Sequence, residues 1–127
     1  MAIDTSIFKP AKNRWQDIFR HLKKHGFSVY SPGIKVGEAI ENYIVVKLDG
    51  SSSKADYSTD EDYYSIMCYV PQDQYSSLDT FVQDVKKAMK ELEPMIIPYG
   101  IQTPSYYDEA IKCHMVSIEY KNYKKWL

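Results

Sequence analysis

Arginine is almost absent from this chain: Arg14 and Arg20 stand against fourteen lysines, and the formal net charge is −1. Bidentate recognition of phosphates and base edges favours the planar guanidinium and needs a basic face, so this composition argues against a reader of nucleic acid. The five glycines, Gly26, Gly33, Gly37, Gly50 and Gly100, are all isolated. A phosphate-cradling loop needs glycines close together so that backbone N–H groups approach the ligand, which excludes the nucleotide-dependent enzymes. No run of about 18 apolar residues is present, as a membrane span requires. Lys9 to Lys24 is basic and amphipathic where a signal peptide would carry its apolar core, which predicts a chain made and kept in the cytoplasm. The two cysteines, Cys68 and Cys113, lie in stretches that read as strands, the pattern of buried thiols in a reducing compartment rather than of a disulfide. Internal repeats, proline-rich tracts and coiled-coil heptads are missing as well.

What remains is globular: 127 residues, 44% hydrophobic and 26% charged, enough for one good core and too short for two ordinary domains. We expect a single domain over 1–127. Tyrosine is the outlier, twelve residues against four Phe and two Trp. A tyrosine ring buries area while its hydroxyl still needs a partner, so tyrosine suits half-wet positions. Two readings fit the count equally: ordinary strand residues in a Tyr- and Lys-biased chain, or an extended contact surface.

Along the chain, residues 1–12 are too sparse to define an element and read as an arm. Asn13 and Gln16 have capping-box spacing, Trp15, Ile18, Phe19 and Leu22 recur on one helical face, and Gly26 closes the helix. Phe27 to Tyr30 reads as a short strand ending at Ser31-Pro32-Gly33, and Gly37 marks a further irregular point. Tyr43 to Leu48 reads as a core strand with Ile44, Val46 and Leu48 on one face, paired with Tyr63 to Val70. The polar stretch Asp49 to Glu61 between them reads as a long flexible loop. A second helix, capped by Ser77, carries Leu78, Phe81, Val82, Val85, Met89 and Leu92 in one apolar stripe and ends by Pro94. Met95 to Ile101 reads as extended, Gln102-Thr103-Pro104 as a turn, Ala110 to Tyr120 as the last strand, and 121–127 as a basic-aromatic tail. This order predicts an α+β fold, a mostly antiparallel or mixed sheet of four to five strands with two helices on one face.

Candidate chemistry is thin. His21 and His25 have metal-ligand spacing on the first helix, but no third ligand is nearby in sequence and no Glu stands between them. Cys113 and His114 are strand neighbours and point to opposite faces, so they cannot pair, although Cys68 and His114 could meet across strands. Asp56, Asp60, Glu61 and Asp62 lack the glycine and distal glutamate of a calcium loop. The tail Lys121 to Leu127 could touch RNA or dock on a neighbouring subunit. No catalytic, cofactor-binding or metal residues emerge.

The pattern of a first helix, the strand Tyr43 to Leu48, a polar connection, the strand Tyr64 to Val70, the helix Leu78 to Leu92 and the strand His114 to Tyr120 resembles the tail-terminator and tail-completion (head-to-tail joining) proteins of tailed bacteriophages and phage tail-like particles. The resemblance spans about residues 13–120. It implies a non-enzymatic structural subunit without cofactors, forming a ring, typically a hexamer, on the last ring of tail-tube protein and joining it to the neck or head connector. It further implies assembly in the bacterial host cytoplasm, residence in the virion or tail-like particle, no membrane, and DNA only as passing cargo. The scarcity of Arg fits a channel that does not grip DNA. The tyrosine-rich strand faces are the expected interface, with Tyr43, Tyr57, Tyr63, Tyr69, Tyr106, Tyr107 and Trp126 as its residues. Alternatives of other classes are a small phage-structural or adaptor protein binding through the same sheet, and a minor enzyme using Cys68 or Cys113 with His114.

Overall fold

The computed structural model describes residues 14–34, 40–53, 59–100 and 102–125. The expected arm over 1–12, the Asn13 cap and Gly37 lie outside them. Three long strands organise the rest: β2 (Tyr43–Ser53), β3 (Thr59–Pro71) and β6 (Cys113–Lys125). They run antiparallel, with β3 in the middle, and their register places Val46, Ile66 and Ile118 in one row and Ile44, Cys68 and Val116 in the next. Side chains alternate along a strand, so these even-numbered residues share a face, and all of them are buried. Two helices cover that face. Ile18 and Leu22 of α1 (Trp15–Lys24) and Phe81, Val82, Val85 and Met89 of α2 (Leu78–Lys90) complete the core. Each such side chain contributes about 1.5–3 kcal/mol through removal from water.

The helix ends show how the sheet overrides local signals. Gly26 closes α1 as expected: at φ +91 it lets its own N–H reach Lys23 O and the Phe27 N–H reach Leu22 O, a Schellman closure. At the other end, the Arg14 N–H that opens α1 donates to the buried hydroxyl of Tyr64, a partner supplied by β3. Trp15 Nε1 donates to Val46 O at 2.7 Å, satisfying a carbonyl on the edge of β2 that the short β1 (Val29–Tyr30) does not reach. Ser77 precedes α2, but its hydroxyl donates back to Gln74 O and caps nothing. The chain is already turning through a 3₁₀ stretch, Gln72–Ser77, when it enters the helix. Past Lys90 the backbone continues in tight i→i+3 turns up to the residue before Pro94, where the sequence predicts the stop.

The sheet is mixed and has six strands rather than four to five, ordered β1-β2-β3-β6-β4. Only the β1–β2 pair is parallel. β4 (Ile96–Pro98) pairs with Tyr120 to Asn122, and β5 (Tyr106–Asp108) with Cys113 to Met115, so both lie on the same edge of β6. Between them Tyr99 N–H donates to Glu119 O and Thr103 N–H to Ser117 O, leaving little of that edge open to another chain. Three residues are too few for β5 to show periodicity in sequence.

Of the flexible loop expected over 49–61, residues 54–58 lie outside the described residues, and the pairing corrects the reading of its two flanks, which are strand. After a bulge at Asp49, Gly50 to Ser53 pair with Tyr63 to Asp60, and Thr59 to Glu61 pair in turn with Lys125 to Tyr123. The same pairing makes the expected tail a strand as far as Lys125. Polarity misled the reading in both places. Ladder hydrogen bonds join backbone groups whatever the side chains, and a third strand supports the hairpin beyond the helices.

Candidate interaction surface

Odd-numbered positions from Tyr43 to Lys47, Tyr63 to Tyr69 and Cys113 to Lys121 point away from the helices, and no element of the described residues covers them as α1 and α2 cover the other face. Near the β1 end the surface is aromatic. The register sets Tyr106, Met115, Tyr69 and Tyr43 in a row across β5, β6, β3 and β2. Tyr43 stacks on Tyr69, with ring centroids 4.6 Å apart and planes 8° apart, and meets Tyr30 edge-on at 5.7 Å. Val45, Met67, Ile111 and Cys113 pack into the same cluster. Tyr43 is only 2% exposed, so it supports this surface from beneath, while Tyr106 stands out from it at 58%. Burial raises the phenol pKa of both Tyr43 and Tyr69, with the nearby Cys113 sulfur adding to the shift.

Moving along the strands, the face turns polar at Lys47, Ser65, Ser117 and Glu119. Ser65 donates its hydroxyl to the Asp49 carboxylate on the bulge, and the Asp49 carboxylate also lies 3.8 Å from Lys47 Nζ. Aromatic character returns at the far end, where Tyr63 packs on Tyr99 at 4.9 Å and the Lys121 ammonium sits 5.4 Å from the Tyr99 ring.

The structure thus gathers Tyr43 and Tyr69 in one cluster, places Tyr106 in the same cross-strand row beyond Met115, and sets Tyr63 at the opposite end of the same face. Tyr107 does not join them. It faces the helix side, donating to Gln72 Oε1 at 2.9 Å and packing on His114. Tyr57 and Trp126 lie outside the described residues. Tyr30, Met67, Met115 and Tyr99 belong to the surface and were missed. The two methionines share the odd parity of Tyr69 and Cys113, a signal available once the strands are read, whereas Tyr99 arrives through β4 and only the tertiary fold brings it to Tyr63.

The cysteine–histidine alternative loses its chemistry here. Cys68 is fully buried on the helix face, and burial pushes its thiol up to about 12. Cys113 is fully buried on the other face; burial, then the Asp108 charge, push it up to about 11 against the pull of a hydrogen bond with the Tyr43 hydroxyl. The thiolate is the nucleophile, and neither thiol ionises near neutrality. His114 is engaged elsewhere, with Nε2 on Gln72 O at 3.2 Å and its ring between Tyr75 and Tyr107.

No protein-family model and no curated protein matches the chain. Among solved structures, a chain of the virion of a native gene transfer agent (GTA) particle matches at a TM-score of 0.51 and 8% identity, over 87% of this chain and 91% of that one. The likeness is one of fold. It takes in nearly the whole of both chains, so the helix-covered sheet described above is the shared unit rather than a fragment of it.

Proposed function

We propose that this protein is a structural subunit of a phage or phage-like particle, and more specifically that it caps a tail tube as a ring, a hexamer in its simplest form, and joins it to the neck or head connector. The observation that carries the reading is the end-to-end fold likeness to a virion chain. The sheet supports it. One face is closed by helices, while the other offers an aromatic cluster at Tyr43 and Tyr69, with Tyr106 exposed in the same cross-strand row, and a second at Tyr63 and Tyr99, amphipathic side chains of the kind enriched at protein interfaces. A closed ring needs a heterologous contact, one patch of each subunit against a different patch of the next, and two separated aromatic ends on one face can serve in that way. The partners on this reading are further copies of the chain, the tail-tube protein and a neck or connector protein. DNA passes as cargo, which the near-neutral charge and two arginines favour. Assembly takes place in the bacterial cytoplasm and the product resides in the particle.

The test is solution mass by light scattering over a concentration series, alone and with polymerised tube protein, followed by negative-stain microscopy. Ring particles are expected, lost in Tyr106→Lys with the melting temperature unchanged, because Tyr106 is the most exposed residue of that row. A chain that stays monomeric with and without tube protein refutes the ring. Rings formed equally well by Tyr106→Lys and Tyr63→Lys would remove the sheet face from the interface.

A further inference from the structure

The two histidines of α1 acquire in the fold the third ligand that the local sequence lacks. His21 and His25, one helical turn apart, bring their rings to 4.6 Å in edge contact, and Glu91, the residue that closes α2, reaches them from the neighbouring helix. His25 Nε2 lies 3.1 Å and His21 Nε2 3.9 Å from Glu91 Oε1. One ligand atom from each of the three residues lies within 4.8 Å of the other two. Tetrahedral coordination with bonds of about 2.0–2.1 Å sets ligand atoms about 3.3 Å apart, so small side-chain adjustments suffice to place a cation among them. We propose that His21, His25 and Glu91 form a binding site for a divalent transition-metal ion of the zinc class, three protein ligands with a fourth position left for water, clasping the end of α1 to the end of α2.

His21 Nε2, 3.9 Å from Glu91 Oε1, also lies 2.7 Å from Ala88 O, so the ring is held at the site by a hydrogen bond that a metal ion at Nε2 would replace. Two features support the assignment. The carboxyl ends of both helices converge here, and the helix dipole favours positive charge at such ends. Lys23, Lys24, Lys87 and Lys90 share these last turns, which disfavours an ion held by charge alone and selects for one that bonds imidazole. The inference is independent of the ring reading, since the site is built within one subunit on the helix side of the sheet.

Titration of the untagged, metal-free full-length protein with Co²⁺, followed by displacement with Zn²⁺, decides it. One equivalent is expected to bind with visible absorption of tetrahedral intensity, to be displaced by Zn²⁺, and to be ignored by Mg²⁺. His25→Ala and Glu91→Ala, both partly exposed and so tolerable to the fold, should each weaken binding by at least about tenfold. Glu91→Gln serves as the shape-preserving version. Zn²⁺ should also raise the melting temperature of the wild type and not of the variants. Absence of saturable binding, or binding that survives in either alanine variant, overturns the site.

Discussion

Replacing Tyr64 by Phe would remove one oxygen from the wall between α1 and the sheet and leave the ring in place. Tyr64 is 0% exposed, and its hydroxyl accepts the Arg14 N–H at the point where α1 begins. The described residues show no local side chain capping that helix start, so the sheet supplies the partner. A net hydrogen bond contributes about 0.5–1.5 kcal/mol, and a donor left without a partner away from water costs about 1–3 kcal/mol. Arg14 is half-buried, so water partly replaces the lost acceptor, and we expect a loss of about 1–2 kcal/mol. With an unfolding entropy of about 2.1 cal/mol/K per residue over the 127 residues, the melting temperature should fall by about 4–8 °C. At a urea slope of about 2 kcal/mol/M the midpoint should move down by about 0.5–1 M. Urea melts followed by circular dichroism measure the total, and amide hydrogen exchange locates it. The first turn of α1 should exchange faster in the variant while the centre of β3 changes only with global stability. An unchanged midpoint, or a loss of stability with α1 protected as in the wild type, would refute the reasoning that β3 caps this helix.

The remaining expectations concern pH, packing and thiol access. Burial raises the phenols of Tyr43, Tyr64, Tyr69 and Tyr120 and the thiols of Cys68 and Cys113 above their ordinary values, so the folded chain keeps protons that the unfolded chain releases above pH about 9–10. Their stabilisation is complete below that range and is lost as pH rises, at up to about 1.4 kcal/mol per pH unit for each group. A cooperative alkaline unfolding is therefore expected, in which the buried tyrosines ionise together with the loss of the circular dichroism signal; ionisation of all twelve tyrosines with the fold intact would contradict it. Ile66→Ala, in the central strand between Val46 and Ile118, should cost about 2–5 kcal/mol by urea melt. Leu48→Ala, at a position 39% exposed beside the bulge, should cost under about 1 kcal/mol. A colorimetric disulfide reagent should leave both cysteines untouched in the native protein and titrate both in denaturant; rapid labelling of either one in the native state would contradict their burial.

Parity and periodicity carried much of the fold. Ile44, Val46, Ile66, Cys68 and Val70 could be assigned to one face from alternation alone, and Phe81, Val82, Val85 and Met89 to one helix face from their spacing, because apolar residues at those intervals can leave water only on one side of their element. What failed was the use of polarity to end a strand. Gly50 to Ser53 and Thr59 to Glu61 look like a loop by composition, yet their backbone groups pair across β2, β3 and β6. The candidate surface was legible to the extent that it consists of strand residues of one parity. Tyr43 and Tyr69 satisfied that rule, whereas the side taken by Tyr107 depended on its own pairing with His114.

The sequence by itself determined the class of fold, the two amphipathic helices, the principal strand pair and the absence of a phosphate-binding loop, since each follows from residue type and spacing within one element. Only the tertiary structure decided that α1 is capped from β3, that Tyr99 meets Tyr63, that both thiols are held protonated by burial, and that Glu91 reaches His21 and His25. These depend on contacts between residues far apart in the chain, and their partners are chosen by sheet register and helix packing, which no local pattern encodes.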